Sequence, residues 1–321
     1  MNTINGNRLL LELDCTSVVQ NAHDIVALAR SAESQGFHTL GFPDHFLVRT
    51  PIGRRLTLDC FTALATAAAP TRQLVLATHV ASAGFRTPLN LIRQTVSLQN
   101  LTEGRFELGI GAGWHRGEAE ATRGHAPDTA RGRLLQALEA IEAAWPGRLG
   151  EPSAPPMLRP DQRELLAQLG SAAPRPLVKI AAGGDRLIEI AATHADVIML
   201  TIPNSVRAED GIYSRAVLER QISVARRHAP RTPLHAQIRT IVPAGQWAEH
   251  EDDVRCLPDD PELARLRIEW LRAREIHRIS FHEADPSKIA WISTHLHPAL
   301  LGRRAAGEHA THAGDGIHHG K

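Results

Sequence analysis

The sequence predicts a single (β/α)8 barrel of the TIM type, and three observations carry that expectation. Eight short β-rich runs alternate with amphipathic helical patterns nearly from end to end. Several of the runs are continuously apolar, as parallel strands covered on both faces must be. The 321-residue length suits one barrel with a helix after every strand. An open doubly wound sheet would produce a similar string, and the count of eight puts the barrel first.

The expected strands, in order, are Arg8 to Leu13, Phe37 to Phe42, Leu74 to Ala81, Arg105 to Ile110, Leu177 to Ala181, Val197 to Thr201, Leu234 to Val242 and Ile276 to Phe281. Each is short and bounded by turn-forming residues. The helical patterns between and after them are Ala22 to Ser34, Leu58 to Ala69, Leu89 to Leu101, Arg133 to Ala144, Arg186 to Thr193, Ser214 to His228, Glu262 to Ala273 and Ser287 to His295. In these the apolar residues recur at helical spacing. The least regular stretch, the proline-rich loop at 146–176, carries a short helical island at Gln162 to Leu169 and is expected on the catalytic face. The barrel should occupy residues 1–302, leaving 303–321, rich in Gly, Ala and His, as a disordered tail. A flexible tail lacks the fixed surroundings of a metal site, so no metal is expected on its histidines.

Lysine plus arginine (36) nearly cancel aspartate plus glutamate (35), so no basic field attracts nucleic acid or an anionic membrane. A small-molecule partner fits better, with a homodimer left open. Cys15, Cys60 and Cys256 are far apart and have no zinc or redox spacing, which predicts inert thiols in a reducing compartment. The N-terminus lacks a signal-peptide pattern and no segment reaches eighteen uninterrupted apolar residues, so a cytoplasmic protein is expected.

In a parallel barrel, catalytic groups gather in the turns after the strands. The second strand is followed by Pro43, Asp44 and His45, a carboxylate and an imidazole side by side. Histidine titrates near neutrality and can exchange a proton during turnover, although Asp-His after proline also suits a plain turn. The fourth strand runs into Gly109, Ile110, Gly111, Ala112, Gly113 and Trp114, where small residues admit a flat ring and Trp114 offers an aromatic wall. Its spacing departs from a nicotinamide fingerprint: Arg116 stands at the third glycine position, and Glu118 and Glu120 come too soon for a ribose carboxylate. After the fifth strand, Gly183, Gly184, Asp185 and Arg186 lead into a helix, where an anion site at its N-terminus and a glycine turn with Asp185 as cap are compatible readings.

Taken together, the segments QGFHTLGFPDH, LVLATHVASAGFRTPLNLIRQTVSLQNLTEGRFELGIGAGWHRGEAEATRG and LVKIAAGGDRLIEIAATHADVIML, which span most of Ser34 to Leu200 in this order, resemble the luciferase-like monooxygenase family. Within it they are most similar to the deazaflavin (coenzyme F420)-dependent oxidoreductases. The resemblance implies a coenzyme ring across the strand ends, Asp44 and His45 beside it, and an acid/base role for His45. It implies a bulge in the third strand at Thr78, His79 and Val80, often with a non-proline cis peptide, behind the ring. Gly111, Ala112, Gly113 and Trp114 would line the coenzyme, and the turn of Gly183, Gly184, Asp185 and Arg186 would take its phosphate. Trp114 stands where sugar-phosphate dehydrogenases of that branch carry glutamate, which argues against that substrate class. Glu118 fits a glutamate common in other members, with packing and catalysis both open as its role. The expected activity is F420-dependent hydride transfer to or from a small organic substrate. The alternatives are an FMN-dependent monooxygenase and, third, a cofactor- or partner-binding barrel without turnover.

Overall fold

Inward-facing residues of eight parallel strands enclose the interior of the computed structural model, which describes residues 9–15, 21–50, 53–113, 117–118, 129–147, 156–202, 214–247, 251–283 and 285–296. The barrel strands are β1 (Leu10–Asp14), β2 (Thr39–Phe42), β5 (Val75–Thr78) with its short continuation β6 (Ala81–Ser82), β7 (Phe106–Gly111), β8 (Leu177–Ala182), β9 (Val197–Leu200), β10 (Leu234–Ile238) and β13 (Ile276–His282). Hydrogen bonding runs β5-β2-β1-β13-β10-β9-β8-β7, and β5 pairs with β7 to close the ring. The expected barrel and its eight strands are therefore present.

Helices α1 (Ala22–Ser34), α2 (Cys60–Ala68), α3 (Pro88–Leu101), α4 (Ala130–Ala144), α5 (Pro160–Gly170), α6 (Asp185–His194), α7 (Ser214–His228), α8 (Pro261–Arg272) and α9 (Pro286–His295) accompany the strands. In α1, Ile25, Leu28, Ala29 and Ala32 form the buried stripe, and the Asn21 side chain accepts from the Asp24 N–H at its start. Four helices begin one or two residues before the periodicity suggests, because each opens on proline: Pro88, Pro160, Pro261 and Pro286. Proline at the first helical position needs no N–H partner and has its φ already set.

Three departures from the expected string have local causes. The long strand expected from Leu234 to Val242 breaks at Arg239. Its first part stays in the barrel, and β11 (Thr240–Val242) leaves to pair with β12 (Cys256–Pro258). A hairpin of β3 (Leu47–Thr50) and β4 (Gly53–Leu56) follows His45, where no strand was expected. The described part of the 146–176 stretch is not on the catalytic face: α5 packs on α3 and α4 in the outer layer. The Trp145 indole, just past the end of α4, donates to the Ala173 carbonyl at 3.0 Å, which places this stretch at the N-terminal end of the barrel. The tail at 303–321 lies outside the described residues. All three cysteines are buried thiols, and burial raises their pKa values, Cys256 to about 11. None of the described helices is long and apolar enough to cross a membrane.

Candidate functional site

The turns after β2, β5, β7 and β8 lie side by side because those strands are consecutive neighbours in the ring. Asp44, His45, Thr78, His79, Val80, Gly111, Ala112, Gly113, Gly183, Gly184, Asp185 and Arg186 thus occupy one arc of the C-terminal mouth. Trp114 lies outside the described residues.

Asp44 is buried, and both of its oxygens are engaged. Oδ2 accepts the Ser82 N–H at 2.9 Å, and the Arg86 guanidinium grips both oxygens, with Nη2 to Oδ1 at 3.0 Å. Arg86 also pairs with Asp59 and lies over the Phe61 ring at 4.7 Å. Asp44 therefore ties the end of β2 to β6 and α2. His45 is partly open to solvent, with 21% of its side chain exposed, and Nδ1 lies 3.0 Å from Glu118 Oε2. The other Glu118 oxygen accepts the Phe46 N–H at 3.0 Å, and Thr57 Oγ1 donates to the His45 carbonyl.

Between β5 and β6 the chain bulges, and the His79–Val80 peptide is cis, where the resemblance implied one. Thr78 Oγ1 donates to the Gly109 carbonyl at 2.6 Å. Gly109 has to be glycine, since a Cβ there would collide with the Thr78 carbonyl oxygen. The Val80 methyls lie against Gly109 and Gly111.

At the β8–α6 turn the two glycines differ. The Gly183 carbonyl accepts from Gln221 at 2.8 Å, while Gly184 is the helix N-cap and is exposed. Asp185 is not the cap; it is the first helical residue and pairs with Arg220 at 2.8 Å. Arg186 is exposed. The N–H groups of Asp185 and Arg186 open α6 at this edge of the mouth, an arrangement that favours an anion.

Below the mouth, the barrel interior holds charge where barrels of this kind usually pack branched apolar side chains. Glu12 and Lys179 are both 0% exposed and 2.7 Å apart. His79 Nε2 lies 2.9 Å from Lys179 Nζ and 2.9 Å from Glu12 Oε2. Arg278 reaches Glu12 at 2.5 Å and Glu107 at 2.8 Å, and His235 Nε2 meets Ser280 Oγ at 2.9 Å. Burial opposes ionisation of Glu12, but Arg278 and then Lys179 outweigh it and hold the carboxyl well below the usual range. Glu107 is lowered by the same balance, again with Arg278 ahead of Lys179. Burial pushes Lys179 down and His235 well down, so His235 stays neutral. One layer higher, Asp14 accepts from Gln237 and lies 3.3 Å from His282 Nδ1. Burial opposes its ionisation too, yet His282 holds it low.

Of these interior residues only His79 belonged to the expected site. Their signal is a polar residue at every second position of an otherwise apolar strand: Glu12 and Asp14, His235 and Gln237, Arg278, Ser280 and His282. Glu118 is the other functional candidate that spacing alone left ambiguous.

A flavin-type coenzyme fits this arc on two observations. The α6 N-terminus leaves open space at Gly184, where an added Cβ would meet nothing within 4 Å. Ser82 Oγ and His79 Nδ1 are buried polar atoms without a hydrogen-bond partner among the described residues.

Residues 8–252 match the model of the luciferase-like monooxygenase family. An uncharacterized protein of Mycobacterium tuberculosis is 33% identical over 136 residues, which cover 37% of this chain and 47% of that protein, so the chain spans about half the length of this relative. Among solved structures, a monooxygenase from Streptomyces bottropensis is similar with a TM-score of 0.65 at 20% identity, covering 91% of this chain and 99% of that one. The coenzyme F420 dependent tetrahydromethanopterin reductase from Methanopyrus kandleri is similar with a TM-score of 0.60 at 14% identity, covering 91% and 99%. At these identities the structures speak for a shared fold, and the family match is what assigns the sequence. The chain belongs to the luciferase-like monooxygenase family.

Proposed function

We propose that the protein is a deazaflavin (coenzyme F420)-dependent oxidoreductase that moves a hydride between the coenzyme and a small organic substrate in the cytoplasm. The observation that carries this reading is His45, an imidazole at the barrel mouth held by a buried carboxylate beside the turns that would receive the coenzyme. Hydride exchange with a carbonyl or alcohol needs a separate proton donor or acceptor, and a positioned imidazole supplies one near neutral pH. The β5–β6 bulge would back the ring, and the α6 N-terminus at Gly184 would take the phosphate. When bound, the coenzyme supplies the two-electron chemistry, and the protein contributes binding, orientation and the proton at His45.

The second reading is an FMN-dependent monooxygenase, favoured by the description of the matching family. The two readings differ in coenzyme and in the use of oxygen. Purified protein titrated with reduced F420 and reduced FMN is expected to bind F420 in the micromolar range or tighter, without consuming oxygen. His45→Ala should then lower turnover far more than coenzyme affinity. Tight FMN binding with oxygen uptake would give the second reading, and saturable NADPH binding with no deazaflavin response would overturn the first.

A further inference from the structure

The two oxygens of Glu118 are divided between two different demands. Oε1 accepts the Phe46 backbone N–H at 3.0 Å, and Oε2 faces His45 Nδ1 at 3.0 Å. The carboxyl is buried, at 8% exposure, and comes from a segment 73 residues away in sequence. A backbone amide can only donate and a carboxylate can only accept. Nδ1 must therefore carry a hydrogen, which leaves Nε2 as the basic nitrogen of the neutral ring. The Thr57 hydroxyl holds the His45 carbonyl from the other side, so backbone and ring are fixed together.

We propose that Glu118 is a positioning residue that sets the tautomer of His45, keeping the proton on Nδ1 so that Nε2 exchanges the proton of the reaction. This rests on the acid–base role given to His45 above. It requires a carboxylate specifically, because an amide of the same shape cannot meet both demands. In Glu118→Gln the single side-chain oxygen is claimed by the Phe46 N–H. The NH2 group then faces Nδ1, which has to accept, and the ring proton moves to Nε2. The substitution is nearly isosteric and still reverses the chemistry of the imidazole.

The test is nitrogen–proton correlation NMR on the full-length apo-protein with labelled histidine, recorded where the ring is neutral. Wild type is expected to show His45 protonated at Nδ1, and Glu118→Gln to show it protonated at Nε2 with an unchanged melting temperature. Glu118→Ala, which removes the carboxylate from Nδ1, is the second variant and should also lose the Nδ1–H signal. An Nε2–H signal in wild type, or a retained Nδ1–H signal in either variant, overturns the proposal. On a substrate that wild type turns over, Glu118→Gln should lower kcat by about 10²–10⁴-fold, the usual contribution of a positioned acid–base group, with KM unchanged. Reduced F420 is titrated into the same samples. Failure of wild type to bind it would remove the functional reading, while the tautomer result would still decide the role of Glu118.

Discussion

A Cβ on Gly183 would lie 2.9 Å from the Thr201 carbonyl oxygen, which makes Gly183 a point of close approach between the end of β8 and the chain leaving β9. Its neighbour Gly184 has no such restriction. It has φ −109° and ψ 155°, which any residue adopts, and an added Cβ would meet nothing within 4 Å.

Substitutions at the two glycines should therefore separate folding from binding. Gly183→Ala forces the Thr201 segment to move and is expected to cost about 1–3 kcal/mol, as overpacking does. Gly184→Val should cost apo stability only about 0.5–1 kcal/mol, through the loss of a favoured N-cap residue, while weakening coenzyme binding by crowding the α6 N-terminus. Urea unfolding and coenzyme titration measure the two effects. Equal destabilisation by both variants would show that the turn acts as one structural unit.

The buried charges in the barrel make a second, larger prediction. Lys179→Met removes one of the two cations that hold Glu12 ionised, and breaking a buried pair in this way costs about 3–5 kcal/mol. Adding Glu12→Gln should recover much of that loss, because the uncompensated charge goes with it. Denaturant midpoints decide the matter. A single variant as stable as wild type would mean that Arg278 alone satisfies Glu12.

Stability should fall with acid in two steps. Burial depresses the His235 pKa, so the unfolded chain takes up a proton there that the folded chain refuses. The contribution of His235 is thus complete above about pH 6.5 and is lost as pH falls below that value. Glu12 and Glu107 are also depressed, and their contribution is lost below about pH 4.3. The expected slope is about 1.4 kcal/mol per pH unit for each proton taken up. Unfolding free energies of wild type and His235→Asn, measured from pH 7.5 to 4, should differ in slope between pH 6.5 and 4.5; parallel curves would contradict the assignment.

Much of the fold is legible in the sequence because its strands and helices follow different periods. Ala22 to Ser34 and Ser214 to His228 match the structure at both ends. Arg239 is where that reasoning fails. The apolar pattern continues through Val242 although the chain changes sheet, since β11 satisfies the same pattern against β12. The mouth was readable from Asp44, His45 and the glycine turns, whose residue types are unusual after strands. The position of Asp44 against Arg86, and of Glu118 against His45, depends on contacts spanning 42 and 73 residues, which no local pattern encodes. The interior charges were missed for a different reason. Glu12, Lys179 and Arg278 come from three different strands, and only ring closure shows that they share one space.

Lys179 has one more consequence. Glu12, His79 and His235 present a carboxylate and two imidazoles to a common point, a ligand set familiar from divalent metal centres, and the Lys179 ammonium bonds two of the three. The barrel thus carries its counter-ion on a covalent tether. A tethered cation cannot be chelated, exchanged for a competing ion or lost on dilution, so its share of the field beneath the mouth is inherited with the polypeptide.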